Sequence, residues 1–211
     1  MNVGERMLRN PIPFTPKPLI NSDARYGYLS EKNMNKHPLS FISSDNRKRV
    51  FFIFLAATLL VMGVFRLVLD PPLQTEAAPS GIVSFELAGS QAKAGEIIAS
   101  WDATAQLYAA FGLGFDFLFM PIYATAIALG VLLAAGRHPG KFATFGAWAG
   151  WGAFVAAIFD AAENVCLFNL LLGNSGANYA GLAAFYATVK FGLILLGIGY
   201  ALVGWVWPRS R

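Results

Sequence analysis

The chain has 211 residues, of which 56% are hydrophobic and only 13% charged. A soluble domain carries about 25% charged residues, so this composition argues against an ordinary soluble fold and for a membrane protein with one apolar region. The net charge of +4 does not mark a nucleic-acid binder: residues 1–49 hold nine Lys/Arg against four Asp/Glu, whereas residues 70–102 hold Lys93 against Asp70, Glu76, Glu86, Glu96 and Asp102, which is the asymmetry of membrane topology.

Residues 1–49 read as a polar, Pro-containing cytoplasmic tail. The stretch Pro11-Ile12-Pro13-Phe14-Thr15-Pro16-Lys17-Pro18 favours extended polyproline geometry, and its Pro13-x-x-Pro16 spacing suits an aromatic-lined groove on a partner. No cleavable signal peptide is expected, because the first apolar run begins near residue 50. Arg47-Lys48-Arg49 precedes the first span, residues 50–69, which is long enough to cross about 30 Å of hydrocarbon. Apart from Thr58 it is apolar on every face as far as Arg66, so it is expected to meet lipid or a partner. Asp70-Pro71-Pro72 ends it.

Residues 70–104 form an acidic outer loop. Within it Ala94, Ile97, Ile98 and Trp101 follow helical spacing. They mark either an amphipathic helix on the membrane surface with Trp101 at the headgroups, or a helix capping the bundle. The second span covers residues 106–135. Ala109, Asp116, Tyr123 and Gly130 recur every seven residues on one face, and Pro121 removes the backbone bond to the Phe117 carbonyl, which predicts a kink beside Asp116. The third span, residues 142–172, carries a ladder of small residues: Gly146 and Gly150, then Ala149, Ala153, Ala157 and Ala161. Such a ladder lets a neighbouring helix approach closely in lipid, and Asp160, Glu163 and Asn164 lie on or beside it. In the fourth span, residues 180–207, Ala183, Lys190, Gly197 and Gly204 share a seven-residue seam, with Tyr186 one turn before Lys190. The basic segments, the Gly136–Lys141 loop included, place both termini in the cytoplasm, and the expected location is a bacterial inner membrane.

The fold expected is therefore all-α: a polytopic membrane protein with four transmembrane helices in a bundle and an extended N-terminal tail. Asp116 and Lys190 each lie about ten residues, or ~15 Å, from the outer start of their helices, and Asp160 is at similar depth. An isolated charge at mid-membrane costs at least ~3 kcal/mol. Asp116, Tyr123, Asp160, Glu163, Asn164, Tyr186 and Lys190 are thus expected to meet in one polar cluster. Three acids face one lysine, unless Arg66 reaches in. The surplus carboxylates are expected to retain a proton or two, as a proton relay, a cation site or a purely structural clamp would require.

His37 and His138 lie in the tail and a loop, so no haem ligand is expected at depth. No Cys/His zinc cluster, phosphate-binding glycine loop or serine–histidine pair is present. No catalytic residue, metal or cofactor is predicted, and a bound lipid is allowed. The segments Phe85-Glu86-Leu87-Ala88-Gly89, Leu113-Gly114-Phe115-Asp116-Phe117-Leu118-Phe119 and Asp160-x-x-Glu163-Asn164 resemble uncharacterised small four-span bacterial membrane proteins. The resemblance covers roughly residues 50–207 and implies the fold without an activity. Three functions remain: an accessory or scaffold subunit of a larger membrane complex, held by residues 1–49 and the first span; a small carrier of a proton, cation or amphiphile, acting as a homodimer; and, weakest, an intramembrane lipid-modifying enzyme that uses an acid pair.

Overall fold

Two polar residues that stand immediately before long apolar runs become helix caps. The Asp102 carboxylate accepts from the Ala105 amide at 2.7 Å, and the Asn178 side chain accepts from Gly181 at 3.1 Å, satisfying amides that the helix itself cannot pair. The computed structural model describes residues 36–138, 140–175 and 177–208. Its elements are α1 (Ser44–Val64), α2 (Ile82–Glu86), α3 (Gln91–Ser100), α4 (Ala103–Ala135), α5 (Lys141–Leu171) and α6 (Tyr179–Val206). There is no strand among the described residues. α1 continues through one π-helical turn, Phe65–Leu69, and counting that turn four helices are long and apolar enough to cross a membrane. α4 runs on through Pro121 to Ala135.

The three longest helices form the core. α5 packs along α6 and α4, and α1 lies outside them, chiefly against α4. Phe51 of α1 fills the space over Gly130, and the Phe65 ring packs at a tilt against Phe115 and Phe119. Most of α1 remains open to the surroundings, with Phe52, Ile53, Leu60 and Leu67 exposed, as the uniformly apolar first span required.

Residues 70–102 fold down onto one end of the bundle. Ala94 and Ile97 are fully buried there with Phe85, Ala109, Leu167 and Ala183, so α3 caps the bundle rather than lying on a membrane surface. Trp101 is correspondingly not a headgroup anchor. It is buried, edge-on to Phe85, and its indole N–H donates to the Leu73 carbonyl at 2.8 Å. At 33 residues α4 is about 50 Å long, well beyond a hydrocarbon core of ~30 Å. The cap covers part of that excess.

Asp70 ties α1 to this cap. Its carboxylate is buried, pairs with Arg66, and accepts from the Ile82 amide at 3.1 Å and from Gln74 at 3.3 Å. Gly81 packs so closely on Asp70 that a Cβ would collide with the carboxylate, and its φ of 56° lies in the left-handed region. At the opposite end His138 is bonded to the Gly204 carbonyl at 3.0 Å, and the Tyr200 hydroxyl donates to the Phe142 carbonyl at 2.8 Å.

The polar segment ends earlier than residue 49. Residues 36–42 fold against the bundle before α1 begins: the Trp151 indole donates to the Lys36 carbonyl at 3.0 Å, His37 is buried against Gly150, and Leu39 is buried beside Met120, Leu129 and Ala153. The Pro11–Pro18 stretch and the terminal Arg209 and Arg211 lie outside the described residues.

Candidate functional site

Asp116, Asp160 and Lys190 each lie within about four residues of their helix midpoints, or roughly 6 Å along the axis. Consecutive helices run antiparallel, so these charges come level, and Lys190 meets Asp160. The Lys190 ammonium on α6 is 2.8 Å from Asp160 Oδ1 and 2.8 Å from Glu163 Oε2, both on α5. The two acids are three residues apart and so share one helix face. Tyr123 on α4 donates its hydroxyl to the other Asp160 oxygen at 2.9 Å. One lysine thus joins α5 to α6, and one tyrosine joins α4 to α5.

Asn164 makes a second link to α4. Its side-chain amide donates to Asp116 Oδ2 at 2.9 Å and to the Leu113 carbonyl at 3.2 Å. Asp116 is half-buried and meets Asn164 rather than Lys190. Tyr186, placed one turn before Lys190, contributes its ring: it packs against Phe159 and Phe185 at the edge of the cap cluster. Arg66 does not offset the acids, because it pairs with Asp70.

The residue missing from the sequence-derived cluster is Glu86. It ends α2 in the cap, is buried, and points its carboxylate at Lys190 Nζ at 3.6 Å. Its surroundings in the sequence, Ile82, Val83, Phe85 and Leu87, form a short apolar run within the acidic segment. That run was the available signal. Three carboxyls therefore surround one ammonium, with Asp116 beyond. Glu163 is 0% exposed, Asp160 3% and Lys190 4%, so the centre of the cluster is sealed. Glu163 Oε1 and Glu86 Oε2 are both buried without a hydrogen-bond partner. Burial pushes the Glu86 carboxyl above its ordinary value; Lys190 opposes the rise, while Asp160 and Asp70 add to it. No group of three His, Cys, Asp or Glu among the described residues is placed to hold a metal ion.

The small-residue positions divide among several partners. Gly146 meets Tyr200 of α6 and Ala135 of α4, Gly197 meets Ile127, and Gly204 meets Ala134 and Phe142. Ala149 packs with Val131 and Tyr200, and Ala153, Ala157 and Ala161 pack in the cluster around Leu129. At Gly150 the close approach is made by His37, not by a transmembrane helix.

The core is closed, but the surface beside it is not. A groove of about 270 Å³ lies between α4 and α5, lined by Leu113, Gly114, Phe117, Asn164 and Phe168. A second, of about 340 Å³, shares Ala110 and Phe168 with it and reaches Gln106. Comparison with protein-family models, curated proteins and solved structures found no match to this chain.

Proposed function

We propose that this protein is an accessory or scaffold subunit of a larger assembly in a bacterial inner membrane, with both termini in the cytoplasm. The observation that carries the reading is the sealed clasp at Lys190. One ammonium joins α5, α6 and the cap, and its acids are buried rather than turned toward an opening. Buried polar groups of this kind can fix register and packing partner. α1 then offers a long apolar face beside the bundle, including Leu60 and Leu67, for a neighbouring subunit. Residues 1–35 add a polar contact on the cytoplasmic side.

The groove from Gln106 to Asn164 favours a second reading, the binding of an amphiphile whose polar group reaches the Asn164–Asp116 pair. Native mass spectrometry after gentle extraction separates the two. A stoichiometric complex with other proteins, cross-linked from position 60 or 67, is expected for a subunit. A monomer or homodimer with no protein partner overturns that reading, and a retained lipid displaced by Gly114→Leu supports the second.

A further inference from the structure

Glu86 and Glu163 approach the same nitrogen from different parts of the chain, one from the cap and one from α5. Buried without a hydrogen-bond donor are Oε2 of Glu86 and both oxygens of Glu163, of which Oε2 has the ion pair to Lys190. Glu86 is 8% exposed and Glu163 0%. Lys190 does not supply the missing donors: its contacts go to Asp160 Oδ1, Glu163 Oε2 and, at 3.6 Å, Glu86 Oε1, which leaves Glu163 Oε1 and Glu86 Oε2 unserved. Tyr123 donates to Asp160 and Asn164 to Asp116, so the polar groups of α4 and α5 are committed elsewhere. A metal ion has no ligand set here among the described residues. A single proton on either glutamate removes one of the surplus negative charges and turns one of these acceptors into an O–H donor.

We propose that Glu86 and Glu163 bind one proton between them, and that this proton seats the 70–102 segment on the bundle. When it leaves to water, the sealed site gains a full negative charge beside Asp160, with Asp70 and Asp116 nearby and Lys190 the one cation facing it among the described residues. Glu86 belongs to the cap side of the contact. It ends α2, and residues 87–90 separate it from α3, so the cap lifts and takes Glu86 to water. The direction follows from linkage. A carboxyl raised by burial holds its proton more tightly when seated than when exposed, so seating is strongest below the ordinary value of 4.5 and weakens as pH rises through the raised value. Proton sharing at this contact is independent of what the protein assembles with.

The test uses the full chain in lipid nanodiscs, with Cys166→Ala to remove the native thiol and Ala94→Cys as a reporter under the cap. Ala94 is fully buried by the cap contact. Maleimide labelling of the reporter is expected to accelerate at least tenfold between acidic and alkaline pH, after correction for the reactivity of a free thiol. Glu86→Gln and, separately, Glu163→Gln replace the shared proton with a fixed N–H donor. Both should keep labelling slow at every pH, and the infrared band of a protonated carboxyl should disappear. Labelling independent of pH with Glu86 and Glu163 intact overturns the proposal. So does unchanged pH dependence in the two Gln variants, or fast labelling of both at all pH while their helical content is native.

Discussion

Lys190 ties α6 to α5 and to the cap through one ammonium, which lies 4.9 Å from the Phe191 ring centroid. Lys190→Met keeps the length of the side chain and removes the charge, leaving three buried acids with no counter-ion. Breaking a buried pair from one side costs about 3–5 kcal/mol, and that loss is the expected drop in unfolding free energy in mixed micelles. Adding Glu86→Gln, Asp160→Asn and Glu163→Gln to Lys190→Met should recover most of it, because an uncharged set is close to neutral where a broken pair is not. A single variant within about 0.5 kcal/mol of the native chain would show the ammonium to be dispensable. The meeting of Lys190 with Asp160 and Glu163 was legible from sequence because hydrocarbon leaves a charge no alternative but a partner. Glu86 was not, because an acid in a polar, acidic segment has water as its default partner. Only the fold brings it under cover.

At the scale of elements, the four spans were readable from length and hydropathy, while the two short docked segments were not. The cap helix α3 has one apolar stripe that serves a lipid surface and a protein surface equally well, so Trp101 could be placed at either. Residues 36–42 show no period at all: Leu39, Phe41 and Ile42 stand among polar residues just before the basic triplet. Their docking rests on Gly150, where a Cβ would collide with the His37 ring, and on the bond from Trp151 to the Lys36 carbonyl. Gly150→Leu should therefore release this strap while leaving α4–α6 packed, read as a faster proteolytic cut near residue 40. Acid should do the same. Burial, with Arg47 adding to it, lowers His37 from 6.5 to about 4, so docking holds the neutral ring. The undocked state binds the proton first, and docking is complete above 6.5 and weakens as pH falls toward 4. Each pH unit within that window costs about 1.4 kcal/mol. Proteolysis near residue 40 should rise between pH 6.5 and about 5 and lose that dependence in His37→Gln; a His37 imidazole titrating near 6.5 by NMR would contradict the buried placement.

At the scale of the whole molecule, charge is sorted between the two ends of the bundle. Arg47, Lys48, Arg49, Arg137 and Lys141 lie at the end where α1 begins and α6 finishes, and Glu76, Glu96 and Asp102 lie at the capped end. The proposed function takes the basic end as the cytoplasmic one, because short basic segments tend to be retained inside. Ser80 and Gly89, both exposed in the cap segment, should then react as cysteines with a membrane-impermeant maleimide on intact cells, in a Cys166→Ala background. Asn46→Cys and Pro208→Cys, at exposed positions of the opposite end, should react only after the cells are opened. The reverse pattern would place the cap in the cytoplasm and remove the basis for a cytoplasmic N-terminal partner contact. Reducing the basic charge at the first span, by Arg47→Glu, Lys48→Glu and Arg49→Glu together, makes the prediction quantitative. It should shift a measurable fraction of molecules to the inverted labelling pattern, whereas the same number of charge changes in the cap should shift far fewer, because acidic residues contribute little to orientation.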